Sequence, residues 1–408
     1  MYDVMQGVRV IEVAEHTFVP AASMVLADWG ADVIKIERAG GDVARHMKIL
    51  QRPGQKHNAF FEVANRGKRS IGLDLTKAEG RAQLHKLLGN ADVFITNLRA
   101  DARSKMGIEP ADVMKINPRI IYARGTGYGL HGAMANDGGF DYPSSWCRSG
   151  SGFVQTPPDG TRPPAQPGSV GDLMGGATLA GAISAALFRR ERTGQGAIVD
   201  SALYMVGAYI MTQSLAGASL AAAAPPMPIA ATPAGSAPGF PLIPLVRLYQ
   251  TSDGRWISLC FLQDSWFPDL ARHLGRDDLI DDPRFIGEEA KFANAAALIA
   301  ELDAAFAAKT FAEWRVILAT LTGVWAPLLS PAEVIADEQA LVNGFVTPVT
   351  DDDGDTYLAA ASPGQFDEQP IGPLRASPGY GQHTDEVMRE IGLSNEQIAA
   401  LRAASVVV

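Results

Sequence analysis

The sequence has few cysteines and none of the spacings that hold a metal ion. Its 408 residues contain two cysteines, Cys147 and Cys260, which lie far apart, and its seven histidines form no H-x-x-x-H pair. Such sparse cysteine usage is typical of a reducing compartment, and it excludes a disulfide-dense scaffold and a recognisable zinc motif. We therefore expect a cytoplasmic protein without a metal site.

Basic residues are outnumbered by acidic ones. The 35 lysines and arginines stand against 45 aspartates and glutamates, which gives a formal net charge of −10. Polyanions bind mainly to an excess of positive charge, so we expect no nucleic-acid partner and no anionic membrane partner. A small phosphorylated ligand would require a local basic pocket within an acidic surface.

One long segment lacks charge altogether, because no Asp, Glu, Lys or Arg occurs in residues 201–246. Its first half is long enough to span a bilayer. Polar side chains interrupt that half, alanine and glycine supply much of its apolar content, and seven prolines follow from Pro225 to Pro244. We therefore predict no membrane span. The N-terminus runs directly into an apolar strand pattern, so no export signal is expected either.

Short apolar strands and helical patterns alternate through the first half of the chain. Strand patterns at Val8–Val13, Val33–Glu37 and Val93–Thr96 are separated by helical patterns at Ala21–Trp29 and Gly80–Leu88. This alternation predicts an α/β domain with a mainly parallel sheet, whose ligands bind at the carboxyl ends of the strands. A long helix is predicted over Leu173–Arg192, before a Thr-Gly-Gln-Gly stop.

The second half changes character after the proline-rich segment. An Asp-Gly turn between two strand patterns predicts a hairpin around Asp253 and Gly254. Helices are predicted at 265–273, 290–308 and 311–321, and a further one at 384–403 near the C-terminus. A chain of this length exceeds the size of one hydrophobic core, so we expect a second, smaller α+β domain.

Two glycine-rich stretches are candidate ligand loops. Gly125-Thr126-Gly127-Tyr128-Gly129 follows a strand, but it lacks the third glycine of a dinucleotide fingerprint, and a simple strand-to-loop turn is the better interpretation. The stretch 138–150 contains aromatic residues that fit either a pocket wall or a core. Cys147 lies within it without a readable partner base.

A third stretch, 168–176, places Asp172 among four glycines at the start of the predicted long helix. The simplest interpretation is a helix N-cap, for which Asp is a preferred residue. The alternative is a nucleophile. The positive end of the helix would keep the carboxylate ionised, the glycines would let a substrate approach, and backbone N–H groups could stabilise an oxyanion.

Six blocks of sequence carry a family resemblance. They are Val10-Ile11-Glu12-Val13, Gly30-Ala31-Asp32-Val33-Ile34-Lys35-Ile36-Glu37-Arg38, Asn65-Arg66-Gly67-Lys68-Arg69-Ser70-Ile71, Gly171-Asp172, Thr193-Gly194-Gln195-Gly196 and Gly381-Gln382-His383-Thr384-Asp385-Glu386-Val387. Together and in this order they resemble the class III CoA-transferases, the family of formyl-CoA and carnitine CoA-transferases.

The resemblance implies a fold and an assembly. Such enzymes have a Rossmann-like large domain, made from both chain ends, with an inserted smaller α+β domain, and two chains thread through each other as an interlocked homodimer. For this chain the large domain would be 1–224 plus 341–408. The linker would be 225–239, and the small domain with its return linker would be 240–340.

The resemblance also implies a site in which Asp172 is the catalytic nucleophile. Contacts with CoA would map onto His16, Thr17, Phe18, Arg38, Lys68, Asn97, Leu98 and Lys105. The basic members of this set would supply the local positive pocket that the net charge disfavours. CoA would take part as a substrate, together with an acyl-CoA donor and a carboxylic acid acceptor, and no tightly bound cofactor is expected.

Phe140 distinguishes two activities found in this family. The related α-methylacyl-CoA racemases place a histidine in a Gly-His-Asp motif, where this chain has Gly139-Phe140-Asp141. Exchange of an α-proton needs two acid/base groups, and phenylalanine cannot be one of them. The sequence therefore favours CoA transfer, and a racemase and a catalytically silent acyl-CoA-binding protein stay as alternatives.

The run from Phe140 to Gly150 resembles transferases of aryl and hydroxy acids. The substrate pocket implied by that resemblance consists of Phe140, Asp141, Trp146 and Gly171. The glycine-rich flap of the formyl-CoA enzymes is missing, so formate and oxalate are not expected as substrates.

Overall fold

The computed structural model describes residues 2–49, 51–157, 161–166, 168–222 and 243–408. The chain divides into two compact units. The first comprises Met1–Gln155, Pro163–Pro226 and Asp337–Val408, and the second comprises Thr156–Arg162 and Met227–Ala336. The predicted linker 225–239 lies outside the described residues, and the predicted domain boundaries stay predictions.

A parallel six-stranded sheet forms the centre of the first unit. Its strands are β1 Arg9–Val13, β2 Asp32–Glu37, β3 Arg69–Gly72, β4 Val93–Thr96, β5 Ile121–Thr126 and β6 Ala197–Ala202, in the order β3-β2-β1-β4-β5-β6. All five pairings are parallel, so the predicted α/β class is confirmed. The order reverses between β1 and β4, where open α/β sheets bind ligands.

Helices cover both faces of this sheet. They are α1 Phe18–Asp28, α2 Ala59–Asn65, α3 Ala78–Gly89, α4 Ala100–Met106, α5 Pro110–Ile116, α6 Ser151–Val154, α7 Val170–Thr193, α8 Leu203–Ile210 and α9 Thr212–Ala222. On one face α1 and α7 bury Leu26, Leu179 and Ile183, and on the other α3 buries Leu84 and Leu88. Burial on both faces explains the nearly continuous apolar runs of the strands.

The second unit combines an antiparallel sheet with helices. Its described elements are β7 Val246–Gln250, β8 Trp256–Cys260, α10 Phe267–His273, α11 Glu288–Ala293, α12 Ala295–Phe306, α13 Phe311–Ile317, β9 Trp325–Pro327 and α14 Pro331–Val334. The predicted hairpin is confirmed, with Gly254 at φ +77 in its turn. The predicted continuous helix 290–308 is wrong, because the chain turns at Asn294 between α11 and α12.

The C-terminal part of the chain belongs to the first unit. Its elements are α15 Glu338–Val342, β10 Val346–Thr350, β11 Thr356–Ala360, β12 Leu374–Arg375, α16 Thr384–Glu390 and α17 Asn395–Ala403. Val387 of α16 and Ile398 of α17 join the apolar cluster of α3. The predicted single helix 384–403 is wrong, because Gly392 adopts φ +87 and Ser394 caps a new helix.

The uncharged segment forms short elements where it is described. Residues 201–222 contain the end of β6 and the helices α8 and α9, neither of which is long enough to cross a bilayer. Among the described residues, only α7 is long and apolar enough by length and composition. Buried core helices pass the same test, and close to half of that stretch is buried.

Candidate active site

Asp172 lies in the first turn of α7, as the third residue of the helix. The interpretation of Asp172 as the N-cap is therefore wrong, since Ser169 occupies that position. The reason is that the helix begins three residues earlier than expected, at Val170 and not at Leu173. Gly168 adopts the left-handed φ of +44, so the helix begins at Val170 and carries the Asp172 carboxylate inward.

The Asp172 carboxylate lies in the wall of a cavity of about 550 Å³. This cavity opens where β1, β4 and β5 end, which is the edge predicted for ligands. Its described lining residues are Glu15, His16, Phe18, Asn97, Leu98, Arg99, Ala100, Ala102, Arg103, Arg124, Gly125, Thr126, Gly127, Leu130, Ala135, Asn136, Asp137, Gly138, Gly139, Phe140, Asp172 and Leu203. We call it the main cavity.

The main cavity brings together six of the predicted site residues. They are His16, Phe18, Asn97, Leu98, Phe140 and Asp172. Asn97 connects the loops that leave β1 and β4, because its amide accepts a hydrogen bond from the Glu15 N–H at 3.1 Å and donates one to the Glu15 carbonyl at 2.6 Å. The sheet's reversal point and the predicted nucleophile therefore share one cavity.

Burial, together with the nearby Asp141 carboxylate, raises the pKa of Asp172 to about 7. No hydrogen bond to the Asp172 carboxylate contributes to this shift within the described part of the chain. The expectation that the helix N-terminus keeps this group ionised is therefore wrong. A partly desolvated carboxylate beside a second acid binds a proton more readily than an exposed aspartate, and its ionised form is the stronger base.

Glycines allow the main cavity to form beside Phe18. A Cβ on Gly125 would lie 2.2 Å from the Val19 Cγ2 atom, and a Cβ on Gly175 would lie 2.5 Å from the Phe18 ring. The backbones of Gly127 and Gly139 also lie so close together that a Cβ on either residue would collide with the other. The stretch 125–129 is thus more than a strand-to-loop turn, because Gly125 and Gly127 line the main cavity.

His16 adopts the left-handed φ of +66, which is uncommon for a residue other than glycine. Its N–H donates to the Asp42 Oδ1 atom at 3.1 Å, and its ring meets the Phe140 ring edge-on at 5.3 Å between centroids. Strained backbone of this kind persists where surrounding contacts hold it, and it is concentrated at functional sites. The His16 loop is therefore held in one shape beside Asp172.

A buried charge network lies behind that loop. The Lys35 ammonium contacts Glu12 at 2.7 Å and Asp42 at 2.8 Å, and none of these side chains is exposed. Burial alone would raise the pKa of Glu12, but Lys35 and Lys68 lower it below its ordinary value. The ion pair with Lys35 holds the Asp42 carboxylate in place. The hydrogen bond from the His16 N–H to Asp42 in turn holds the His16 loop.

Lys68 belongs to this network and is not brought to the main cavity. Its ammonium donates to Glu12 at 2.6 Å, to the Pro20 carbonyl at 2.9 Å and to Asn65 at 3.1 Å, which uses all three of its protons. Burial lowers the pKa of Lys68 to about 8. The structure therefore surrounds this ammonium with protein oxygens, and the predicted contact of Lys68 with CoA stays a prediction.

A second, smaller cavity of about 210 Å³ shares Glu15 and Leu98 with the main one. Its walls are mostly apolar and include Leu73, Leu75 and Met106. Arg38 lies at this cavity and pairs with Glu15 at 2.8 Å, although most of its side chain is exposed. We call it the apolar cavity.

The remaining predicted residues lie outside the main cavity lining. Asp141, Trp146 and Gly171 lie behind its wall, and Trp146 is buried against Gly152. Thr17 is buried at the start of α1, and Lys105 is exposed on α4. Conversely, sequence reasoning missed three cavity arginines, Arg99, Arg103 and Arg124. Their position at the ends of β4 and β5 is the signal that could have revealed them.

The fold and the matched residues define the class of protein. The chain belongs to the CoA-transferase family III, whose family model matches residues 5–384. It is therefore an enzyme, a CoA-transferase, and CoA-transferases use CoA thioesters as substrates.

Relatives with assigned activities cover nearly the whole chain. It is 31% identical over 407 residues, 99% of both chains, to (R)-2-hydroxy-4-methylpentanoate CoA-transferase of Clostridioides difficile. It is 29% identical to cinnamoyl-CoA:phenyllactate CoA-transferase of Clostridium sporogenes, over 98% of this chain and 96% of that one. A solved CaiB/BaiF family protein from Brucella suis has a TM-score of 0.81 at 29% identity, over 95% of this chain and 99% of that one.

Proposed function

We propose that the enzyme moves CoA from an acyl-CoA donor to a carboxylic acid acceptor through covalent intermediates on Asp172. The observation that carries this proposal is the position of the Asp172 carboxylate, which is half-buried and lines the main cavity, and whose pKa burial raises to about 7. A free carboxylate is a poor nucleophile toward a thioester. Desolvation strengthens it, and a covalent route divides one difficult exchange into easier steps.

The first half of the reaction forms an enzyme-bound thioester. A carboxylate oxygen of Asp172 attacks the donor carbonyl, the C–S bond breaks, and CoA leaves as a thiolate with the bonding electron pair. The thiolate then attacks the aspartyl carbonyl of the resulting anhydride, which releases the donor acid as a carboxylate. An acceptor carboxylate reverses these steps and leaves with CoA. No external proton, oxidant or reductant is needed.

The two cavities together suit the length and chemistry of CoA. Arg99, Arg103 and Arg124 line the main cavity and offer cationic groups to the phosphates, with Arg103 also paired with Glu109 and Arg124 with Asp200. The apolar cavity suits the adenine ring, with Arg38 at its rim. In this arrangement the loop from His16 to Phe18 lies between the nucleotide and Asp172.

We propose a 2-hydroxy acid as the acceptor. The two relatives named above act on 2-hydroxy-4-methylpentanoate and phenyllactate, and both are acids with an apolar side chain. Phe18, Leu130, Phe140 and Leu203 provide apolar surface in the main cavity close to the nucleophile. Such surface favours an aryl or branched alkyl group over a second carboxylate.

The assembly is proposed to be an interlocked homodimer with an inserted small domain. Large apolar side chains are exposed on the helices α7 to α9 of the single chain, including Phe188 at 63%, Tyr209 at 80% and Leu220 at 73%. Exposed apolar surface of this extent is typical of a protein interface. A second copy of the chain is the partner that the family implies.

Replacement of the nucleophile tests the proposal. Asp172→Ala should abolish CoA exchange between acyl-CoA and acid, while acyl-CoA binding, measured by calorimetry, is retained. Asp385→Ala is the matched control, because Asp385 is an exposed aspartate in the first turn of α16 and does not line either cavity. Appreciable turnover by Asp172→Ala would contradict the proposal. Solvent deuterium incorporation at the α-carbon of a 2-methylacyl-CoA, independent of any acid, would indicate the racemase instead.

A further inference from the structure

The helix that carries the nucleophile lacks a cap of its own. Ser169, at the N-cap position of α7, makes no side-chain hydrogen bond to the helix. The acceptor comes from elsewhere in the sequence, because the Asp141 Oδ2 atom accepts the Gly171 N–H at 3.1 Å. The same oxygen accepts a hydrogen bond from the Gln166 amide at 2.9 Å.

The close approach of Asp141 to α7 depends on the local sequence. A Cβ on Gly171 would lie 2.2 Å from the Asp141 Oδ1 atom and 2.3 Å from the Ser145 Oγ atom, so glycine is required there. Asp141 directly precedes a π-helix, Tyr142–Cys147, whose Ser145 is buried. A Cβ on Gly207 of α8 would lie 2.5 Å from the Ser145 carbonyl oxygen, so α8 supports the π-helix from behind.

This arrangement bears directly on Asp172. The N–H groups at a helix N-terminus ordinarily stabilise a nearby carboxylate and lower its pKa. At α7 the Gly171 N–H, and the N–H of Asp172 itself, are directed to the Asp141 carboxylate. Asp172 thus lies at the positive end of a helix whose donors already serve another acid.

We propose that Asp141 is a positioning residue for the nucleophile, which holds the first turn of α7 against the cavity and withholds the N–H groups of that turn from Asp172. This inference rests on the function proposed above. Its chemical consequence is a more basic and more reactive Asp172 carboxylate, since nucleophilicity rises with basicity for the same type of atom. Asp141 itself does not line the main cavity.

The dependence of kcat/KM on pH tests this role. In the wild type, activity should fall below a pH of about 7 as Asp172 becomes protonated. Asp141→Asn removes the competing charge, so the acid limb should move to lower pH by roughly one unit, and the alkaline plateau should fall by about tenfold. Asp385→Asn serves as the control and should leave the acid limb in place.

The outcomes separate this inference from the proposed function. An acid limb that stays at its wild-type pH in a folded Asp141→Asn protein would overturn the positioning role, whatever the plateau does. If Asp172→Ala keeps its turnover, the proposed function fails as well. Should Asp141→Asn not fold, Gln166→Leu carries the test. Gln166→Leu keeps the hydrogen bond from the Gly171 N–H to Asp141 but removes the amide hydrogen bond that stabilises the ionised Asp141 carboxylate. The acid limb of the pH profile should therefore move to lower pH by a smaller amount than in Asp141→Asn.

Discussion

Two aspartates at one end of α7 have different surroundings, and the difference assigns them different roles. Asp141 accepts backbone and amide hydrogen bonds, whereas the Asp172 carboxylate is buried at the cavity without such stabilisation. Asp172 could be singled out from the sequence because it lies in a glycine-rich block of a known family. The role of Asp141 could not be predicted, because Asp141 and Gly171 lie 30 positions apart in the sequence and only the fold brings them into contact.

Asp172 should destabilise the protein at neutral and alkaline pH. Its pKa is raised in the folded state, from 3.8 to about 7, so its contribution to stability is greatest in acid and is lost as the pH rises through that window. Asp172→Asn, which is always neutral, should therefore be more stable than the wild type at about pH 8, by up to roughly 4 kcal/mol. At about pH 4 the two proteins should be similar.

Thermal melting at both pH values measures this effect. The Asp385→Asn protein should melt close to the wild type at each pH, since exposed ion pairs contribute little. Equal melting temperatures of Asp172→Asn and the wild type in alkali would contradict the desolvated state of the nucleophile.

Lys68 shows why a residue's role is hard to assign from sequence alone. A lysine at the end of a loop fits a phosphate contact by pattern, but its ammonium is fully buried against Glu12 and two neighbouring oxygens. Neither the sequence pattern nor the charge of a lysine reveals whether its side chain faces a ligand cavity or packs inside the protein. His16, which the resemblance implied as a contact with CoA, lines the main cavity, and that contact stays a prediction.

At the scale of elements, the strands and α7 could be predicted because their apolar patterns are long and regular. The breaks in the predicted helices 290–308 and 384–403 could not. Asn294 and Gly392 are tolerated within a helical pattern, and tertiary packing decides whether the chain turns there. The displaced start of α7 has a similar cause, since Gly168 permits a left-handed turn that the sequence does not require.

The contact between α1 and α7 places the nucleophile, and two glycines of α7 test it. A Cβ on Gly176 would lie 2.7 Å from the Ala21 Cβ atom and 3.0 Å from the Ala22 nitrogen, whereas a Cβ on Gly181 would meet nothing within 4 Å. Gly176→Ala should therefore lower stability by about 1–3 kcal/mol and reduce activity. Gly181→Ala should raise stability by up to roughly 1 kcal/mol.

Chemical denaturation of both variants provides the measurement. Because Gly181 lies in the same helix, it controls for the general effect of alanine on helix propensity. Equal stability of the two variants would show that α1 and α7 do not pack as closely as described.

For the whole molecule, the net charge of −10 does not exclude the binding of a small phosphorylated ligand. The acidic excess is an average over the chain, and the wall of the main cavity contains three arginines beside Glu15, Asp137 and Asp172. The exposed apolar side chains of α7 to α9 are likewise consistent with the proposed assembly. The family resemblance implied this assembly, whereas composition alone gave no indication of it.

The interlocked dimer makes a simple prediction. Light scattering should give a mass near twice 43.3 kDa, and dilution should not produce monomers without unfolding, because threaded chains cannot separate while folded. Tyr209→Glu together with Leu220→Glu, which places charge on the exposed apolar surface, should reduce the yield of folded dimer. A folded wild-type monomer would contradict the proposed assembly.

The covalent intermediate is the most direct test of the central claim. The protein is incubated with an acyl-CoA, quenched, digested and examined by mass spectrometry for CoA attached to the peptide that contains Asp172. The account predicts this adduct in the wild type and in Asp385→Ala, its absence in Asp172→Ala, and its disappearance when an acceptor acid is added. Full CoA exchange with no adduct on that peptide, or with an adduct elsewhere, would contradict it.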